Sequence, residues 1–207
     1  KWIKKYGGHE NRDGWAGGLA INEEGSKIYM TGYMQASPGS PFIDPKPFYF
    51  DGDTIHGEFS DAFLAEYDSS GTLNWRFLSG SRASGEQLQL DENGNIYLVF
   101  LQHHPPSGDF SPGFQTTWGY YIAKFDTLGN VTDLDKVVDA YQDVDLEGFD
   151  MDSQGNIYLT GVYQDTATVS GIQFVANGLA NTFIIKYDNQ MNPIWWKTTY
   201  GIIYEQA

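Results

Sequence analysis

His103 and His104 form an adjacent pair in this 207-residue chain whose types could do chemistry. Two imidazoles can ligate a metal, but neighbours on an extended segment point apart, Pro105-Pro106 follows, and no third ligand stands at a recognisable spacing. The pair therefore reads as part of a solvated loop. The acidic run Asp139, Asp143, Asp145, Glu147 and Asp150 offers oxygen ligands to calcium, yet it lacks the Asp-x-Asp-x-Asp-Gly spacing of a dedicated loop. With His9 and His56 there are 4 histidines, and no Gly-x-Ser-x-Gly elbow accompanies them, so no Ser-His-Asp set assembles. Two carboxylates at the right separation could still hydrolyse a glycosidic bond, which keeps a polysaccharide-active enzyme as the alternative reading.

The other candidates are aromatic or basic. Phe42, Phe48 and Tyr49 fall in one long connection, His103, His104 and Trp118 in a second, and Trp15 and Arg82 in the long connections between units. Such side chains on variable loops are where binding usually resides. Charge narrows the partner. The net charge of −15 argues against nucleic acid, since phosphate binding needs clustered Lys and Arg. Cysteine is absent, which removes disulfides and thiolate metal sites. The longest apolar run, Ile96 to Leu101, is too short to insert across a bilayer as a helix. The opening Lys1-Trp2 reads as a processed or cut end, and an aromatic share of 16% argues against disorder.

What must position these residues is a repeat. Leu90-Asp-Glu-Asn-Gly-Asn-Ile-Tyr97 returns as Met151-Asp-Ser-Gln-Gly-Asn-Ile-Tyr158, and more loosely as 21–29. Asp61-Ala-Phe-Leu-Ala-Glu-Tyr-Asp68 recurs at 119–126 and 181–188, and a Trp-led block recurs at Trp2, Trp75 and Trp195. The blocks keep one order. Each is short, rich in Tyr, Ile, Phe and Val, and punctuated by Asp-x-x-Gly turns such as Asp68-Ser-Ser-Gly71, which predicts strands joined by tight turns and almost no helix. In the middle unit the strands are expected around 88–91, 96–101, 120–125 and 131–137. The second and third strands are apolar on both faces, as in Phe63-Leu64-Ala65, which fits a sheet sandwiched between neighbouring sheets. The long connections 36–60, 102–118 and 164–180 then share one end of the molecule. Within them, Phe48 to Gly52 and Gly171 to Phe174 read as extra hairpins packed on their own unit.

Four antiparallel strands per unit, stacked face to face, is the logic of a β-propeller blade. The fold class is thus all-β, a β-propeller segment with blades at 7–80, 81–138 and 139–200, the outer strand of a preceding blade at 1–6 and the start of a next blade at 201–207. Three blades cannot close a ring, so closure is expected to need the remainder of its own propeller or other chains. At 61–75 and 152–161 the chain resembles the SBBP-type β-propeller repeats of secreted and surface bacterial proteins, common in Bacteroidetes. The middle unit departs, with Asp133 at the expected tryptophan and Val99-Phe100 in place of Thr-Gly, changes that imply an altered rim. The resemblance implies export by the type nine route to the extracellular space or outer-membrane surface. The leading reading is a non-catalytic scaffold or recognition module for protein or glycan, with no cofactor other than calcium at the acidic run to consider and no membrane insertion. The resemblance also implies O-glycosylation at Asp-(Ser/Thr)-small-apolar tripeptides, which makes Thr54, Thr127 and Thr166 candidate acceptors.

Overall fold

A computed structural model describes residues 7–8, 14–35, 48–55, 60–103, 108–111, 113–139, 144–176 and 180–199. The expected flanking pieces at 1–6 and 201–207 lie outside them, as do Phe42 and His104. The first strands are β1 (Gly7–Gly8), β2 (Gly14–Ile21), β3 (Lys27–Gln35), β4 (Phe48–Phe50), β5 (Asp53–Ile55) and β6 (Ser60–Asp68). β7 (Leu73–Leu90), β8 (Ile96–Gln102), β9 (Gly108–Ser111), β10 (Phe114–Thr116), β11 (Gly119–Phe125) and β12 (Val131–Asp139) follow. The last are β13 (Val144–Met151), β14 (Ile157–Tyr163), β15 (Thr166–Val169), β16 (Ile172–Val175), β17 (Asn181–Tyr187) and β18 (Pro193–Thr199). The protein is all-β, and its strand pairs are antiparallel.

Three four-stranded meanders form in the order the repeat predicts. They are β2-β3-β6 with the first half of β7, the second half of β7 with β8-β11-β12, and β13-β14-β17-β18. The first two units share one strand. β7 is unbroken over 18 residues and changes partner from β6 at Arg82 to β8 at Ala83. Trp15 and Arg82, expected in connections between units, therefore lie inside strands, where Trp15 pairs with Tyr33 and Arg82 with Asp61.

The short turns repeat one hydrogen-bond scheme. In the aspartate turns at 68, 91, 126, 152 and 188, Oδ1 accepts the backbone N–H groups two and four residues on. Asn95, Asn130, Asn156 and Asn192 donate their side-chain amides back to the same carboxylates. The penultimate turn residue takes positive φ, which glycine adopts without strain, as at Gly129 (φ +84). Met191 holds that position in the last turn (φ 62).

The first strands of successive units lie side by side. A Cβ on Gly17 would come within 2.1 Å of the Gly85 carbonyl oxygen, and the Gln89 amide donates to the Phe149 carbonyl. Between the first and second units, Tyr29, Leu64, Leu98, Phe100 and Phe125 form one core. Between the second and third, Tyr97, Val99, Ile122, Leu159, Phe183 and Tyr187 form another. Phe100 thus sits in no rim. It is fully buried and stacked on Tyr121 at 5.3 Å, facing the first unit.

Both expected hairpins are present, and each does pack on its own unit. Phe48 and Phe50 join Phe63 and Tyr67 in one core, Arg76 pairs with Asp53 at 2.6 Å, and Phe174 stacks on Phe183. They also reach backward, which the sequence reading did not foresee. β15 pairs with β12 at Val138↔Val169, Ser170 N–H donates to the Val137 carbonyl at 2.7 Å, and β4 pairs with Gly7–Gly8.

Candidate functional site: the long-connection end of the second unit

Strand register brings three candidate residues together. Ala83, Gln102 and Gly119 stand opposite one another across β7, β8 and β11. Arg82, His103 and Trp118 are each one position beyond that row, so they stand side by side where β8 ends, β11 begins and β7 passes from the first unit to the second. The support beneath them is buried. Gln102 is fully shielded from solvent. Its amide donates to the Arg82 carbonyl at 2.9 Å while its oxygen accepts the Thr116 hydroxyl at 2.9 Å. His103 N–H donates to the same Arg82 carbonyl at 2.7 Å. A buried amide satisfied on both sides fixes the returning connection against the strand ends.

Beyond Gln102 the Tyr121 hydroxyl accepts the Thr117 N–H at 2.9 Å and donates to the Thr117 carbonyl, which holds the turn carrying Trp118. Lys136 adds its ammonium to the Thr117 hydroxyl at 2.9 Å and pairs with Asp139. His103 is half-buried, with Nε2 at 3.1 Å from the Ser84 hydroxyl, and that hydroxyl in turn donates to Glu86. Because Ser84 gives its proton to Glu86, its oxygen accepts from His103, which places the imidazole proton on Nε2. Burial lowers the His103 pKa, partly offset by the Glu86 charge, so the ring is neutral at pH 7.

Order within this chain decides its chemistry. A nucleophilic relay needs the carboxylate on the imidazole and the imidazole on the hydroxyl. Here the carboxylate holds the hydroxyl, so Ser84 is not activated for attack. The arrangement instead presents fixed donors and acceptors in the same register rows as Trp118 and Arg82, which is equipment for binding. Tyr120, at the border with the third unit, has its pKa pushed up to about 12 by burial and then by the charges of Asp145, Glu86 and Glu147. The carboxylates of Asp145, Glu86 and Glu147 thus stand near Tyr120.

The remaining candidates stay apart from this group. Trp15 (67% exposed) and Tyr49 (45% exposed) belong to the first unit, where Tyr49 pairs across its hairpin with Thr54. Thr54, Thr127 and Thr166 are all exposed. Within the acidic run Asp143 lies outside the described residues, and among the described residues no three His, Asp or Glu side chains converge as a metal would require. Sequence reasoning passed over Ser84, Glu86 and Gln102, which fell in expected connections without a motif, and Tyr120, which read as an ordinary strand residue. It also passed over a 160 Å³ polar recess at the opposite end, between the turns at Asp91 and Gln154 and beside Tyr97 and Lys124. The recurring Asp-x-x-Gly-Asn signature was the signal available for that recess. No known protein family matches the chain, and a search of curated proteins finds no relative.

Proposed function

We propose that the three meanders are successive blades of a β-propeller of the SBBP-repeat type. In this reading they form a non-catalytic recognition module of a secreted or surface-exposed bacterial protein, exported by the type nine route. The blade reading draws support from the repeated strand order, the adjacent first strands and the shared strand β7. The binding reading is carried by a single observation: Arg82, His103 and Trp118 follow one register row of three neighbouring strands, on a buried Gln102 support. An indole beside fixed polar groups suits a sugar ring or a protein loop carrying hydroxyls and amides. The acidic surface selects against phosphate-rich partners.

The test is a glycan array and a protein pull-down run on the wild type and on Trp118→Ala. Binding that is lost in the variant supports the proposal, and binding to either class that survives it moves the site elsewhere. Turnover of a polysaccharide abolished by Glu86→Gln would replace recognition with catalysis. Exposed Thr54, Thr127 and Thr166 are the proposed glycosylation acceptors, checked by intact mass on material from the native host.

A further inference from the structure

The outward face of the third unit repeats, position for position, a surface that is an interface elsewhere in the molecule. Register equates Tyr158, Thr160 and Ile184 with Tyr97, Val99 and Ile122, the side chains that the second unit buries against the third. On the third unit they are only half-buried, and a 340 Å³ hollow lies over Thr160, Val162, Ile184 and Lys197. Trp195 stands beside it, 37% exposed, with its ring 6.3 Å from Tyr158. The first unit has the same pair completed: Trp75 lies 6.3 Å from Tyr29, which is 1% exposed. What completes it is the second unit's turn, where the indole lies flat on Gly129, so close that a Cβ there would meet the ring at 2.8 Å.

A second signature marks the strand end. The second unit's last strand receives the next unit's hairpin at Val138, and pairing of Tyr120 with Val138 and of Thr182 with Thr199 makes Thr199 its equivalent. We propose that the open face of the third unit is the seat of a further four-stranded repeat unit. That unit is carried on the same polypeptide, sets a turn glycine on Trp195 and pairs a hairpin strand beside Thr199. The source is the same chain because the first two units are joined through one unbroken strand, β7, which delivers the second unit directly onto the face of the first. This rests on the blade reading proposed above but not on its ligand, since the surface lies on a sheet face and not at the Arg82–His103–Trp118 end.

Hydroxyl-radical footprinting with mass spectrometry tests it, comparing protein purified from its natural source with the 207-residue chain produced alone. Trp75, held on Gly129 in both, is the internal reference. The expected result is Trp195 oxidised several-fold more slowly in the natural protein, with no concentration dependence in either sample. Equal oxidation of Trp195 in the two preparations overturns the proposal. Protection that grows with concentration of the 207-residue chain also overturns it, in favour of a second copy. Glycan or protein binding at the other end can fail without moving any of these readouts.

Discussion

The second and third units carry the same motif in the same order, yet their strands differ in how they alternate. Along β8, Ile96 through Phe100 are buried without exception, because both faces of that sheet are covered. Along β14 burial alternates, with Ile157, Leu159, Gly161 and Tyr163 buried and their neighbours half-open. Residue choice follows: Val99 in the covered sheet becomes Thr160 in the open one. The two unit–unit interfaces differ in a related way. Trp75 on Gly129 is a large-on-small contact. In the next unit Asp133 holds the register position of Trp75, and the third unit's turn carries Met191 at the position of Gly129, where it packs into the second core. Bulk removed from one side of an interface returns on the other, so neither residue is intelligible inside its own repeat.

The largest effect that separates the regions is expected from the two tryptophans. Trp75→Ala should cost about 3 kcal/mol, since it empties a slot between two units, whereas Trp195→Ala should cost less than about 1 kcal/mol in the 207-residue chain. Paired denaturant melts measure both, and equal losses would break the distinction between filled and open faces. Val99→Thr comes next. It buries a hydroxyl at a site 1% exposed and should cost about 1.5 kcal/mol, while Thr160→Val on the open face should stay within about 0.5 kcal/mol.

Much of this architecture was legible because its causes are local. Short segments rich in Tyr, Ile, Phe and Val and the Asp-x-x-Gly turns depend on residues within a few positions of one another, and the predicted strand order appears in the structure. What was missed depends on distant partners. Hairpin β15–β16 reads as an addition to its own unit, and nothing near Val169 announces that it pairs with Val138. Recurrent glycines at 17–18, 85 and 148 sit where the first-strand ladders shift register, and their use appears only when the neighbouring backbone does. The site followed the same rule. Arg82, His103 and Trp118 were visible as residue types, but their adjacency is a fact of register across β7, β8 and β11. Ser84 and Glu86 carry no motif at all.

The Trp–Gly rule can be sharpened with a double-mutant cycle. Asp133→Trp alone forces an indole toward the Met191 side chain, and Met191→Gly alone exchanges relief of a positive φ against lost packing. Together they should recreate the contact of the first interface, with a favourable coupling of about 1 kcal/mol. Strict additivity in urea melts would show that the two interfaces are not built on one plan.

The smallest effect is electrostatic and separates the turns from the last strand of the second unit. Hydrogen bonds from Asn130 and Asn156 hold the Asp126 and Asp152 carboxyls below the ordinary aspartate value of 3.8, and those within the Asp68 and Asp188 turns do the same. A carboxylate with a lowered folded-state pKa adds stability that is present above about pH 4 and disappears as pH falls through the folded value. Asp135 on β12 is shifted the other way, by burial and by the neighbouring Asp133 charge. Its ionisation opposes folding at neutral pH, and that opposition fades as the medium becomes acid enough to protonate it in both states. Asp135→Asn should therefore raise the melting temperature at pH 7 and give no advantage at pH 3. Asp126→Asn should lower the melting temperature at pH 7, and its deficit should narrow at pH 3. The turn carboxylates are solvent-exposed, so added salt should flatten their effect more than that of Asp135. Thermal melts of both variants at the two pH values check the signs, and a pH profile of the same direction for both would overturn the assignment.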